Sequence, residues 1–127
     1  QALERARDIG LSDKEFDLLK GGNGRYPARI GDILGDVIRK DTLLNNFMEG
    51  NAGIPAFEGY PVTRAELDGY FRFGNIAQEI FDGQRFDRAA QRAFDALTVP
   101  EFLQRYGDQI TAILNRGVKE INLGQAA

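Results

Sequence analysis

The sequence contains no histidine and no cysteine among its 127 residues. Without cysteine it has no disulfides, iron–sulfur clusters, thiolate zinc sites or thiol nucleophiles. Without histidine it lacks the commonest general base and the commonest transition-metal ligand, and it cannot form a Ser-His-Asp triad within itself. These absences exclude many familiar enzyme classes. We expect neither a metal nor a cofactor.

Long apolar runs and an excess of positive charge are missing as well. No stretch approaches the roughly 20 apolar residues that span a bilayer, so we expect a soluble chain with no membrane insertion. The 16 Lys and Arg are outnumbered by 19 Asp and Glu, which weighs against a protein whose main task is neutralising phosphates. The sequence begins at Gln1 without a methionine, which leaves open a processed or an engineered N-terminus.

What the chain does contain is the material for one folded domain. Hydrophobic residues make up 43% of it, including nine Phe and four Tyr, which is enough for a continuous core and too much for a disordered chain. No low-complexity tract or linker divides the sequence. Residues 1–127 are therefore predicted to form a single compact domain.

Three segments share one local pattern: an apolar residue, a Ser or Thr, two further residues, a Glu, and another apolar residue. The hydroxyl positions are Ser12, Thr63 and Thr98. This is the capping box, in which hydroxyl and Glu satisfy each other's backbone amides while the flanking apolar pair packs together. The spacings are unequal and the sequences between them differ, which favours three independent helix starts over a duplicated module.

Apolar residues elsewhere recur at helical spacing. Three stripes are predicted to be core faces: Ile30, Ile33, Leu34, Val37 and Ile38; Phe86, Ala89, Ala90, Ala93, Phe94 and Leu97; and Phe102, Leu103, Tyr106, Ile110, Ile113 and Leu114. The glycines predicted to end helices are Gly10, Gly21, Gly50, Gly83 and Gly117. The pattern predicts an all-α domain of five or six short helices in an irregular bundle.

Two long loops interrupt the helices, and we call them the glycine-rich loop (residues 21–29) and the proline-aromatic loop (residues 50–62). Long structured loops in compact domains are often binding surfaces. The apolar residues of the second loop and the following helix form either a lid on the bundle or an exposed partner site. Candidate partner-binding residues are Ile54, Phe57, Tyr60 and Tyr70, together with Arg25 and Arg29 of the glycine-rich loop.

Two other groups of residues keep different functions open. Asp32 and Asp36 lie four apart on one predicted helix, and paired carboxylates can hydrolyse glycosides without histidine. A solvated helix edge is the ordinary interpretation of such charges. Arg85, Arg88 and Arg92 lie on a predicted helix, residues 84–97, that follows another after Gly83. That arrangement resembles a helix-turn-helix, but the acidic residues nearby and the negative net charge favour an ordinary solvated polar face.

No nucleophile and base pair, metal cluster or cofactor fingerprint can be assembled from these residue types. The sequence therefore favours a non-enzymatic interaction or structural module, a subunit or accessory protein of a larger assembly. Its partner would be another protein or a second copy of the chain. A carboxylate-dependent hydrolase is the alternative from a different class. A helix-turn-helix regulator is third, with nucleic acid as a less favoured partner.

Overall fold

The computed structural model describes residues 2–22, 24–50 and 54–126, with side chains described as far as Arg116. Eight α-helices occur within these ranges. In chain order they are α1 Ala2–Asp8, α2 Asp13–Leu19, α3 Ile30–Ile38, α4 Lys40–Met48, α5 Arg64–Asp82, α6 Arg88–Ala96, α7 Val99–Arg105 and α8 Gly107–Ala126. A short 3₁₀ helix, Pro55–Phe57, lies in the proline-aromatic loop.

The three predicted capping boxes are confirmed. Ser12, Thr63 and Thr98 are the N-cap residues of α2, α5 and α7, each in an extended backbone conformation. Each side chain accepts from the amide of the Glu three residues later, and that Glu accepts from the N-cap amide. Local chemistry alone therefore sets where three of the helices begin.

Helix α5 is the central element, because it packs on α3 on one side and on α8 on another. Its buried face carries Leu67, Tyr70, Phe71, Phe73, Ile76, Ala77 and Ile80. Gly74 allows the close approach of α3, since a Cβ atom there would lie 2.4 Å from Cγ2 of Val37. Helix α3 also contacts α6, and α1 contacts α2 and α7. The buried apolar side chains of the described chain form one cluster.

The all-α prediction is confirmed, but the prediction of five or six helices is wrong. The third apolar stripe is divided between α7 and α8, which are separated only by Tyr106. The first stripe is likewise followed at once by α4, with Arg39 as the single residue between the helices. Sequence periodicity continues across such one-residue breaks, so it underestimates the number of helices.

Several local predictions also need correction. Helices end just before Gly10, Gly21, Gly50 and Gly83 as expected, the first three with positive φ and Gly83 with φ −77°, but helix α8 continues through Gly117. The helix predicted over residues 84–97 begins only at Arg88, because the Asp87 side chain caps it by accepting from the amide of Ala90. On that helix Ala89 and Ala93 are exposed instead of buried.

Candidate functional site

A groove of about 630 Å³ runs beside α3. We call it the α3 groove. One wall is residues 25–28 of the glycine-rich loop, and another is Pro55 and Ala56 of the proline-aromatic loop. Most of the remaining lining comes from α3, with Leu18 of α2, Arg39 after the end of α3, and Tyr70 of α5. Both long loops therefore contribute to the same groove.

Arg25 joins the two loops. Its guanidinium donates to the carbonyl oxygens of Ala56 at 2.9 Å and Glu58 at 2.8 Å, and it lies 5.1 Å from the ring centroid of Tyr60. These are the contacts of a structural clamp, since the planar fork of an arginine holds two acceptors in a fixed geometry. Arg25 thus fixes the distance between two walls of the groove.

The edges of the groove carry apolar side chains that contact little of their own chain. Tyr26 is 94% exposed and Ile38 is 81% exposed, the two highest values among the large hydrophobic residues described. Ile38 was predicted to belong to the core face of α3, and that prediction is wrong. The helix ends at Ile38 and the chain turns into α4, so no other element covers this last position.

A buried polar pair lies at the base of the groove. Asp36 is only 4% exposed, and the hydroxyl of Tyr70 donates to its Oδ2 atom at 2.6 Å. Nη2 of Arg39 donates to Oδ1 at 2.9 Å. Burial, together with the neighbouring Asp36 carboxylate, raises the pKa of Tyr70 well above its usual range, so this hydroxyl stays protonated and acts as the donor.

The outward face of α3 has an ordered charge pattern. Asp32 and Gly35 of α3 and Arg39, the residue that follows its last turn, are separated by three and four residues, so they lie in a line along one side of the helix and its C-terminal end. Asp32 is exposed, and its carboxylate makes no hydrogen bond or ion pair with the described residues, although its backbone amide donates to the carbonyl of Arg29. A Cβ atom at Gly35 would meet nothing within 4 Å, so the line is open at its centre. Arg39 is engaged at one nitrogen and its side chain is 61% exposed.

The six predicted partner-binding residues have different environments. Ile54, Phe57 and Tyr70 are each 1% exposed, and the rings of Phe57 and Tyr70 pack edge to face with centroids 5.1 Å apart. This burial matches the lid arrangement, one of the two interpretations of the proline-aromatic loop. Residues 51–53 of that loop lie outside the described residues.

Tyr60 is partly buried beside Arg25, whereas Arg29 lies away from both. Nη1 of Arg29 donates to the carbonyl of Ala96, and its backbone forms an isolated antiparallel bridge with Thr98. The structure thus places Arg25, Tyr60 and Tyr70 near the groove and Arg29 at the junction of α6 and α7. A role in binding stays a prediction for all six residues.

Sequence reasoning missed Tyr26, Ile38 and Arg39 as groove residues. A signal did exist for Arg39, because a helical projection of α3 puts Asp32, Gly35 and Arg39 on the face opposite the apolar stripe. No signal existed for Ile38, since its exposure depends on where α4 packs. The structure also corrects the expectation for Asp36, which is buried instead of lying on a solvated helix edge.

The described residues contain no group of three or more carboxylates that could hold a metal ion. No helix among them has the length and apolar character to cross a membrane. No protein-family model matches the sequence, and comparison with curated proteins and with solved structures gives no significant match.

Proposed function

We propose that this chain is a non-enzymatic binding module, a subunit or accessory protein of a larger assembly, and that the α3 groove receives a segment of a protein partner. The observation that carries the proposal is the exposure of Tyr26 and Ile38 on the groove edges. Exposed large apolar side chains beside a concave surface are typical of protein interaction sites. Aromatic and aliphatic anchors of this kind supply much of the binding energy at interfaces.

The groove is supported by rigid elements, which favours binding. Arg25 clamps the two loops, and Ile54 and Phe57 anchor the proline-aromatic loop in the core. A preorganised surface loses less conformational entropy when a partner binds. Ile54 and Phe57 are buried and would not contact a partner directly. They would instead hold in place the groove wall that does contact it.

A carboxylate-dependent hydrolase is the second candidate, because Asp32 and Asp36 both line the groove. Such chemistry needs two carboxyl groups that can reach the substrate. Both oxygens of Asp36 already accept hydrogen bonds from Tyr70 and Arg39. Asp32 is then the single groove carboxylate with open oxygens, which favours binding over hydrolysis.

The helix-turn-helix hypothesis has the least support. Arg85 precedes α6 instead of lying on it, and the carboxylate of Asp87 occupies the N-cap of this helix. Arg88 and Arg92 are exposed on its surface. A gel-shift assay with duplex DNA at low salt tests this hypothesis directly, since phosphate contacts strengthen steeply as salt falls.

Photo-crosslinking tests the proposed module. A benzophenone amino acid replaces Ile38 in one variant and Met48 in another, and both are expressed in the source cells. Met48 is the matched control, because it is also a large exposed apolar residue, 67% exposed, and it does not line the groove. We expect a discrete crosslinked protein product from position 38 and none from position 48.

Substitution at the same two positions gives an independent measurement. Ile38→Asp should abolish recovery of the crosslinked partner in affinity capture, and Met48→Asp should leave it unchanged, with both melting temperatures close to the wild-type value. Equal recovery with Ile38→Asp would contradict the proposal. So would equal crosslinking from the two positions.

A further inference from the structure

The outward face of α3 is complementary to itself. Asp32 lies at one end of the line, Arg39 at the other, and Gly35 near its centre. From the rise of an α-helix the two charged residues are about 10 Å apart along the axis. If a second α3 packs antiparallel on the first, Asp32 of each copy faces Arg39 of the other. A parallel arrangement would instead oppose like charges.

We propose that the occupant of the α3 groove is a second copy of this chain, bound through an antiparallel α3–α3 contact about a two-fold axis near Gly35. This inference rests on the proposed function and names its partner. A two-fold interface requires each surface patch to be complementary to itself. The Asp32, Gly35, Arg39 line meets that requirement.

The centre of the line permits close helix contact. Helices pack with axes about 8–10 Å apart, and the distance depends on the side chains at the crossing point. Gly35 has no side chain, and the space where its Cβ would point is empty to 4 Å. The backbone of a partner helix can therefore approach this point more closely than any other on the outward face of α3.

The ends of the line have the charges that the contact needs. The carboxylate of Asp32 makes no hydrogen bond or ion pair with the described residues. Arg39 uses Nη2 for Asp36, and a guanidinium has five N–H donors in all. Two interchain ion pairs would form in a dimer, one at each end. The exposed Tyr26 and Ile38 of both copies supply apolar surface around them. A chain of net charge −3 can associate here because the line itself is neutral.

Charge reversal tests the pairing. Asp32→Arg alone opposes two arginines in its own homodimer, and Arg39→Asp alone opposes two aspartates. An equimolar mixture of the two variants restores both ion pairs in a heterodimer. Sedimentation velocity of the full chain at low salt, from about 5 to about 500 µM, should show a wild-type dimer with a dissociation constant in the micromolar range.

Each single reversal should weaken the homodimer about tenfold or more, and the mixture should recover wild-type association. The matched control is Asp108→Arg, which makes the same charge change in the first turn of α8, as Asp32→Arg does in α3. Its dimer should sediment like the wild type. Because Arg39→Asp also removes the contact to Asp36, its melting temperature is measured alongside.

Gly35→Leu provides a variant that does not depend on Arg39. The space at this position is open in the monomer, so the fold should tolerate the leucine while the bulk blocks the helix crossing. We expect a folded monomer across the concentration range. A Gly35→Leu chain that dimerises like the wild type would overturn the inference.

Three other results would also overturn the inference. The wild-type chain could be monomeric at every concentration, or Asp32→Arg and Asp108→Arg could weaken the dimer equally. The third is a mixture of Asp32→Arg and Arg39→Asp that does not regain wild-type association. Failure here is separable from failure of the binding module. If the wild-type chain is monomeric and Ile38 still crosslinks to a different protein, the module stands and the homodimer does not.

Discussion

Asp36 is a buried carboxylate held by two donors from different positions in the chain. Removing the Tyr70 hydroxyl leaves Oδ2 of Asp36 buried without its partner, and an unsatisfied buried charged group costs more than the lost hydrogen bond itself. We expect Tyr70→Phe to lower the free energy of unfolding by about 1–3 kcal/mol, measured by urea denaturation.

Tyr60→Phe is the matched control for that substitution. It removes the same hydroxyl from a partly buried tyrosine that makes no hydrogen bond through this group in the described contacts, and it keeps the ring beside Arg25. Its unfolding free energy should stay within about 0.5 kcal/mol of wild type. Equal losses from the two variants would mean that Asp36 is satisfied in another way.

Glu15 is a second buried carboxylate, and it should make stability depend on pH. It is 1% exposed; Oε1 accepts from the Ser12 amide, while Oε2 is buried without a described partner. Burial raises the pKa of Glu15 above its ordinary value of 4.5, and the hydrogen bonds with Ser12 offset only part of that rise. The charges of Glu66 and Lys14 make smaller contributions of opposite sign. The folded state therefore binds this proton more tightly than the unfolded state does. Stability should fall as pH rises from the unfolded-state pKa through the raised one.

Glu15→Gln keeps an oxygen for the Ser12 amide and removes the charge. Relative to wild type, it should become progressively more stable as pH rises from about 4.5 to about 7, by urea denaturation at several pH values. Glu101→Gln is the control from another capping box. Hydrogen bonds from Thr98 lower the pKa of the exposed Glu101, so its charged form is the stabilising one and the variant should be less stable throughout that range. A parallel response of the two variants would contradict the assignment.

At the scale of the helix, alanine substitution at two glycines of the packed pair α3 and α5 should change the free energy of unfolding in opposite directions. Gly35 of α3 faces open space, so Gly35→Ala should raise the free energy of unfolding by about 0.5–1 kcal/mol, because alanine lowers the entropy of the unfolded chain. Gly74 of α5 is packed against α3, where an added Cβ would lie 2.4 Å from Val37. Gly74→Ala should cost about 1–3 kcal/mol through overpacking. Thermal melts of dilute protein check both signs, and a shared sign would contradict the packing described here.

The starts of α2, α5 and α7 were predictable because their cause is local. Ser12, Thr63 and Thr98 each lie three residues from the Glu that completes the cap, so no tertiary contact is needed. The end of a helix was less predictable. Gly10 and Gly50 do adopt the left-handed conformation, yet α8 continues through Gly117, since glycine permits a helix end without requiring one.

At the scale of the whole molecule, the candidate site was predictable only in outline. Length and composition indicated that the two long loops carry the function, and both do form walls of the groove. The sequence could not show which side chains face outward. Tyr70 and Phe57 are buried and Ile38 is exposed because of how α4, α5 and the loops pack, which depends on contacts between residues far apart in sequence. Hydrophobic periodicity predicts which face of a helix a residue lies on, but it does not predict which other element packs against that face.

Phe57 connects the groove to the core of the whole molecule. Its 1% exposed ring packs on Tyr70, and the residues just before it, Pro55 and Ala56, form a wall of the groove. Phe57→Ala should therefore destabilise the fold by about 3 kcal/mol or more, as deletion of a buried aromatic does. Tyr26→Ala, at a 94% exposed aromatic on the groove edge, should leave the melting temperature unchanged and weaken partner binding. Thermal melts with crosslinking from position 38 separate the two effects. A normal melting temperature for Phe57→Ala, with its partner lost, would instead mean that the Phe57 side chain contacts the partner directly.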